Sequence, residues 1–207
     1  KTARPRRVMS DQQKMRLQQA VHAHSVGNVA FAEAEYRSLI TEKIRTPQIW
    51  CNLAAICAKS ARRDEADKYW KQALAISPRF LEAQMNLAES LNQAGKYEQA
   101  IKSYRGIISD HGQVVAAKYL LANILKSQGK FSEATDLYQQ VMTQQPEYTQ
   151  AHFSYSSIHP YQDKDDPHIG LMLELYQKDG LTNENKTQLA FALAKAYEDI
   201  GDYPRAF

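Results

Sequence analysis

The sequence predicts an all-α fold in which antiparallel helix pairs recur along the chain as a solenoid. Three observations carry this. Small residues stand at Ala20, Ala54, Ala88 and Ala122, and a second small series runs Ala32, Ala66, Ala100, Ala134. Aromatic rings stand at Tyr36, Trp70, Tyr104 and Tyr138. A turn series runs Gly27, Ala61, Gly95, Gly129. Every step is 34 residues, without insertion. Self-similarity at one fixed period is the signature of a repeat architecture, each unit burying its apolar face on the next.

The first small series belongs to the first helix of each unit, helix A, and the second to helix B. Two helix axes approach to about 8–10 Å where the side chains at the crossing are small. The ring of Tyr36, Trp70, Tyr104 or Tyr138 lies one turn beyond the helix B alanine, on the same face. Leu39, Ala73, Ile107 and Val141 extend that apolar stripe. Pro78 and Pro146 close helix B, because proline is poorly tolerated inside a helix. Ile44 and Gly112 take the equivalent places, so Pro47 and Gly112 are expected to act as breaks there. Unit length and pattern together resemble the tetratricopeptide repeat. That resemblance implies a right-handed α-α superhelix.

The elements follow in order. Residues 1–10 form a basic arm with Lys1, Arg4, Arg6 and Arg7, read as a solvated tail rather than a nucleic-acid contact. Ser10 with Gln13 has the form of a capping box. The array spans 11–158, with repeats at about 13–46, 47–80, 81–114 and 115–148 and a partial fifth at 149–158. Leu53, Leu87 and Leu121 precede the helix A alanine; the first repeat has Gln19 there, which suits a wet terminal face. The fifth helix A fails at His159-Pro160. Residues 159–184 are an irregular break with one short helix, Asp166 its N-cap and Pro167 its first residue. Residues 185–207 read as a truncated final repeat, displaced by four residues from the strict period. Its helix is expected from about Asn185 to Ile200. The chain reads as a fragment of a longer protein.

Composition excludes several classes. The net charge of +3 is too small to imply a nucleic-acid partner. No run reaches the roughly 18 apolar residues of a membrane helix, so no membrane contact is expected and the location is read as cytoplasmic. The two cysteines, Cys51 and Cys57, lie about 9 Å apart in rise and about 240° apart on one helix and cannot pair with each other. His22 and His24 point to different helix faces. Asp163, Asp165, Asp166 and His168 have the look of hard-metal ligands, yet read better as loop carboxylates and a helix cap. No nucleotide, zinc-protease or paired-cysteine motif is present. No cofactor, metal site or catalytic residue is expected.

What remains is a groove. In the tetratricopeptide family the inward surface is lined by helix A, and the resemblance maps one such position to Leu17, Cys51, Met85, Tyr119 and Phe153. Further inward positions give Asn52, Asn86, Glu89 and Asn123. Apolar anchors beside amides suit an extended peptide. The expectation is a non-catalytic module that binds a protein or peptide ligand, with self-association through the solenoid ends as an alternative. The clamp that chaperone-tail binders of this family use is absent, since Leu17, Val21, Glu82 and Asn86 stand where it would need cations and amides. Asn52 and Asn86 resemble part of the asparagine ladder of O-linked N-acetylglucosamine transferase repeats, which Leu120 and Ser154 interrupt.

The stretch Asp165-Asp-Pro-His-Ile, then Leu181-Thr, then Leu189 to Phe207 resembles the region before the catalytic domain of bacterial repeat-containing sulfotransferases. It covers roughly the last 45 residues. The resemblance implies a substrate-recruiting arm whose catalytic domain lies beyond Phe207.

Overall fold

The computed structural model describes residues 9–206. The basic run from Lys1 to Arg7, and Phe207, lie outside the described residues. The described residues form two compact units, divided between Gln99 and Ala100.

In the first unit, α1 (Asp11–Ser25) pairs with α2 (Val29–Thr41), and α3 (Pro47–Lys59) with α4 (Arg63–Ile76). Helix α5 (Leu81–Gln93) packs on α4. Helix α6 (Tyr97–His111) straddles the boundary between the units. In the second unit, α7 (Val115–Ser127) pairs with α8 (Phe131–Gln144), and α9 (Thr149–Ser156) packs on α8. Then come α10 (Pro167–Gln177), α11 (Asn183–Asp199) and the short α12 (Tyr203–Ala206). Helix α11 packs against α9, α10 and α12.

The periodic residues make the interior. All eight alanines of the two small series are fully buried, and so are Tyr36, Tyr104 and Tyr138, with Trp70 close behind. Among the described residues apolar clusters form across α1, α2 and α3, across α3, α4 and α5, and around Tyr161, α10 and α11.

The A-to-B turns share one hydrogen bond. Asn28 N donates to Ala23 O, Arg62 N to Cys57 O, Lys96 N to Leu91 O and Lys130 N to Leu125 O, at 2.8–2.9 Å. This is the six-to-one bond of a Schellman helix end, which places the preceding residue in the left-handed region. Gly27, Gly95 and Gly129 accept that conformation freely, and Ala61 adopts it too, at φ 59°. An alanine there carries a steric penalty of about 1–2 kcal/mol that glycine lacks. Ala61→Gly is therefore expected to stabilise the fold by about 0.5–1 kcal/mol after the extra unfolded-state entropy of glycine is subtracted. A lower melting temperature for this variant would contradict the turn geometry. The displaced final unit repeats the bond, from Asp202 N to Tyr197 O at 2.9 Å, with Gly201 in the same conformation.

Several ends follow the sequence. Ser10 and Gln13 form the reciprocal capping box, and the Asp166 carboxylate accepts from His168 N at 2.8 Å with Pro167 opening α10. Helix α6 stops before Gly112, whose φ is 67°. Two ends differ from expectation. Helix α2 ends through Lys43 at φ 64°, with Ile44 N bonded to Leu39 O at 3.1 Å, so a Schellman end and not Pro47 makes that break. Helix α11 starts two residues before Asn185, because the Thr182 hydroxyl accepts from Asn185 N and caps it.

Candidate functional site

Helix A residues of each unit were the expected ligand surface, and the structure separates them by depth. In the first unit Leu17 is half-buried against the α1–α3 core. Cys51 is fully buried at 0 % exposure, which corrects its expected place on a wet face. Burial first, then the Glu82 carboxylate, pushes its thiol up to about 12, so it is neutral and unreactive. The α4 and α5 helices close over it, because the small residues Ala66 and Ala83 let them approach.

Asn52 is half-exposed but already engaged. Its Nδ2 donates to the Tyr36 hydroxyl at 3.1 Å, and its Oδ1 accepts from Gln48 Nε2 at 2.8 Å. It ties helix A of one repeat to helix B of the previous one. Met85, Asn86 and Glu89 are half-exposed along α5. Asn86 and Glu89 flank a cavity of about 270 Å³ between α3, α4 and α5 that reaches down to Trp70. The Glu89 carboxylate accepts from Gln93 Nε2 at 3.0 Å.

In the second unit the aromatic content rises. The Tyr119 ring lies 5.0 Å from that of Tyr148 and 6.1 Å from that of Tyr138, measured between centroids. Asn123 makes a different tie, within one repeat: its Oδ1 accepts from the Tyr138 hydroxyl of α8 at 2.6 Å. Phe153 is 43 % exposed and meets Phe191 of α11 edge-on at 6.4 Å, and Phe191 is 63 % exposed. Phe191 was missed in the sequence, because α11 stands outside the 34-residue register. Tyr119, Asn123, Phe153 and Phe191 thus form one face of α7, α9 and α11.

Behind that face lies a buried polar chain. His152 and His168 stack with parallel rings, His152 Nδ1 being 2.9 Å from His168 Nε2. His152 Nε2 lies 2.8 Å from the Pro146 carbonyl, so that nitrogen carries the proton and donates. His152 Nδ1 then accepts from His168 Nε2–H. His168 Nδ1 accepts from the Tyr161 hydroxyl at 2.6 Å, and Tyr161 accepts from Ser156 at 2.7 Å. Every donor finds an acceptor only when both imidazoles are neutral. Burial, and next the adjacent His152, hold His168 down at about 3, and burial likewise lowers His152. His152 also has a repeat counterpart, since Gln84 Nε2 donates to the Pro78 carbonyl at 3.1 Å two repeats earlier. Asp166 accepts from His159 Nε2 at 2.9 Å, and His159 Nδ1 receives the Tyr155 hydroxyl at 3.0 Å.

Among the described residues no three His, Cys, Asp or Glu side chains gather as a metal site. Asp166 and His168, which had the look of ligands in the sequence, serve as cap and buried hydrogen-bond partner. Among the described residues no helix is long and apolar enough to cross a membrane.

Comparison with known proteins agrees with the architecture. Residues 58–124 and 117–147 match two family profiles, each described as tetratricopeptide repeat. No curated protein matches the chain. Among solved structures, the MamA RS-1 ArsTM double mutant superposes with a TM-score of 0.68 at 14 % identity, over 89 % of this chain and 96 % of that one. MamA 41-end from Desulfovibrio magneticus RS-1 gives a TM-score of 0.66 at 13 % identity, covering 94 % and 98 %. A further crystal structure of MamA protein gives 0.65 at 14 % identity, covering 95 % and 96 %. At such identities the likeness is one of fold. Residues 58–147 thus carry tetratricopeptide repeats, and the chain shares its fold with MamA.

Proposed function

We propose that the chain is a polypeptide-binding module with no chemistry of its own, its ligand lying on the helix A faces. The tetratricopeptide fold implies protein partners. The observation that carries the reading is the exposed aromatic pair Phe153 and Phe191, with half-buried Tyr119 reaching α9 through its hydroxyl, 3.4 Å from Ser154 Oγ. Contiguous exposed apolar surface of this kind marks interaction sites. Asn52 and Asn123 act here as ties between helices, while Met85, Asn86, Tyr119 and Phe153 keep surface to offer.

The test pairs Phe153→Ala with Met85→Ala. A residue with one wet side leaves no sealed cavity when truncated, so the melting temperature should move little. Anchors buried in a complex lose about 1–2 kcal/mol each on truncation, so affinity for a captured partner should fall at least tenfold. Unchanged affinity with a large drop in stability would make these residues core and remove the assignment.

The resemblance of residues 165–207 to the segment before a sulfotransferase domain supports a narrower reading, in which the bound polypeptide is a sulfate acceptor. Under it this chain binds the acceptor but neither binds nor turns over 3′-phosphoadenylyl sulfate, which calorimetry with that donor checks.

A further inference from the structure

The face of α7 and α9 carries a charge imbalance. Neither helix contains an Asp or Glu, while α7 bears Lys118 and Lys126. Lys126 lies three residues beyond Asn123 and seven beyond Tyr119, and so shares their side of α7. It is half-buried, and its Nζ donates to the Ser157 hydroxyl at 3.3 Å. Among the described residues no carboxylate pairs with it. Burial lowers its pKa, and no nearby acid acts in the other direction. Ser157 in turn is the C-cap of α9, one turn beyond Phe153. The aromatic strip therefore ends at a partly desolvated ammonium whose partner is a neutral hydroxyl. Lys195, the cation at the same end of α11, is already neutralised by Asp199.

Withdrawing an ammonium from water costs free energy unless an opposite charge joins it. A ligand that covers the face would strip the remaining water from Lys126 and must supply that charge. One lysine is a point charge with three donors, suited to a carboxylate. Lys118, the other cation of α7, is buried, and α9 has none, so among the described residues of these two helices no second exposed cation accompanies Lys126 to favour a phosphate.

We propose that the polypeptide bound on this face is acidic: an apolar side chain seats on the Tyr119–Phe153 strip and a carboxylate pairs with Lys126. The proposal rests on the groove reading given above. One to two helical turns separate the strip from Lys126, about 5–11 Å, so the acid stands about two to three extended residues from the apolar anchor.

A display library of random short peptides panned against the whole chain tests this. The selected peptides should carry Asp or Glu about two to three residues from an aromatic or aliphatic anchor. Lys126→Gln should weaken them about tenfold, with weaker binding at higher salt, and Lys126→Arg should restore most of the affinity. The melting temperature of Lys126→Gln should match that of the wild type, since no ion pair is lost. Selected peptides that lack acids, or that bind Lys126→Gln as tightly as wild type, overturn the acidic-ligand proposal. In that case the groove reading stands if Phe153→Ser still weakens them. Selection of no peptide, or of peptides indifferent to Phe153→Ser, overturns both.

Discussion

Tyr138→Ala is expected to destabilise the second unit by about 3–5 kcal/mol, the range for removing a buried aromatic side chain. Tyr138 is fully buried between α7 and α8, its ring near Tyr119 and its hydroxyl on Asn123. Neither helix can close the gap, because Ala122 and Ala134 already hold the pair at close approach. Thermal melting followed by circular dichroism should show a midpoint lower by about 10 °C, given about 2–4 °C per kcal/mol for a chain of this size. Tyr138→Phe keeps the ring and loses only the hydrogen bond. It should cost about 0.5–1.5 kcal/mol, since Asn123 is half-exposed and water can replace the donor. An alanine variant that melts with the wild type would show that the aromatic series does not hold the repeats together.

Acid should weaken the second unit well before ordinary carboxylates titrate. His168 sits at about 3 in the folded chain against an ordinary 6.5, and His152 is lowered in the same direction. Because the folded values lie below the unfolded ones, the unfolded chain takes up protons first as the pH falls. The stabilisation is complete above pH 6.5, shrinks as pH drops below it, and levels off near pH 3. Each proton contributes about 1.4 kcal/mol per pH unit at most, so His168 alone gives a loss of up to about 2 kcal/mol between pH 6.5 and 5, and His152 adds to it in the same direction. The groups around the pair sharpen the window. Tyr161 and Tyr155 are held protonated by burial, while Asp166 and Asp199 stay ionised to lower pH than usual. Urea titrations at pH 7 and pH 5 measure the effect, with His168→Phe as the variant that should flatten it. Both tryptophans, Trp50 and Trp70, lie in the first unit, so their fluorescence should report a smaller shift than far-ultraviolet circular dichroism. A pH-independent stability over this range would mean that the two imidazoles are not held neutral.

The 34-residue period by itself determined the helices from α1 to α9, which residues cross at close range and where the left-handed turns between helix A and helix B fall. It could do so because helix crossing, ring placement and the Schellman end each require a particular residue size or backbone freedom at a fixed offset. Ser10 and Asp166 were legible for the same reason, a cap being a contact between residues two or three apart. Depth was not legible. Cys51 and Met85 occupy the same repeat position, yet one is sealed and the other half-exposed, because neighbouring helices supplied from distant sequence decide what is covered. Asn52 and Asn123 read as free amides until the tyrosines of adjacent helices were found on them. The pairing of His152 with His168 and of Phe153 with Phe191 joins segments across an irregular stretch where no period guides the eye. Local chemistry wrote the helices; only the packing of α9, α10 and α11 decided which polar groups are spent inside and which aromatic rings are left to a partner.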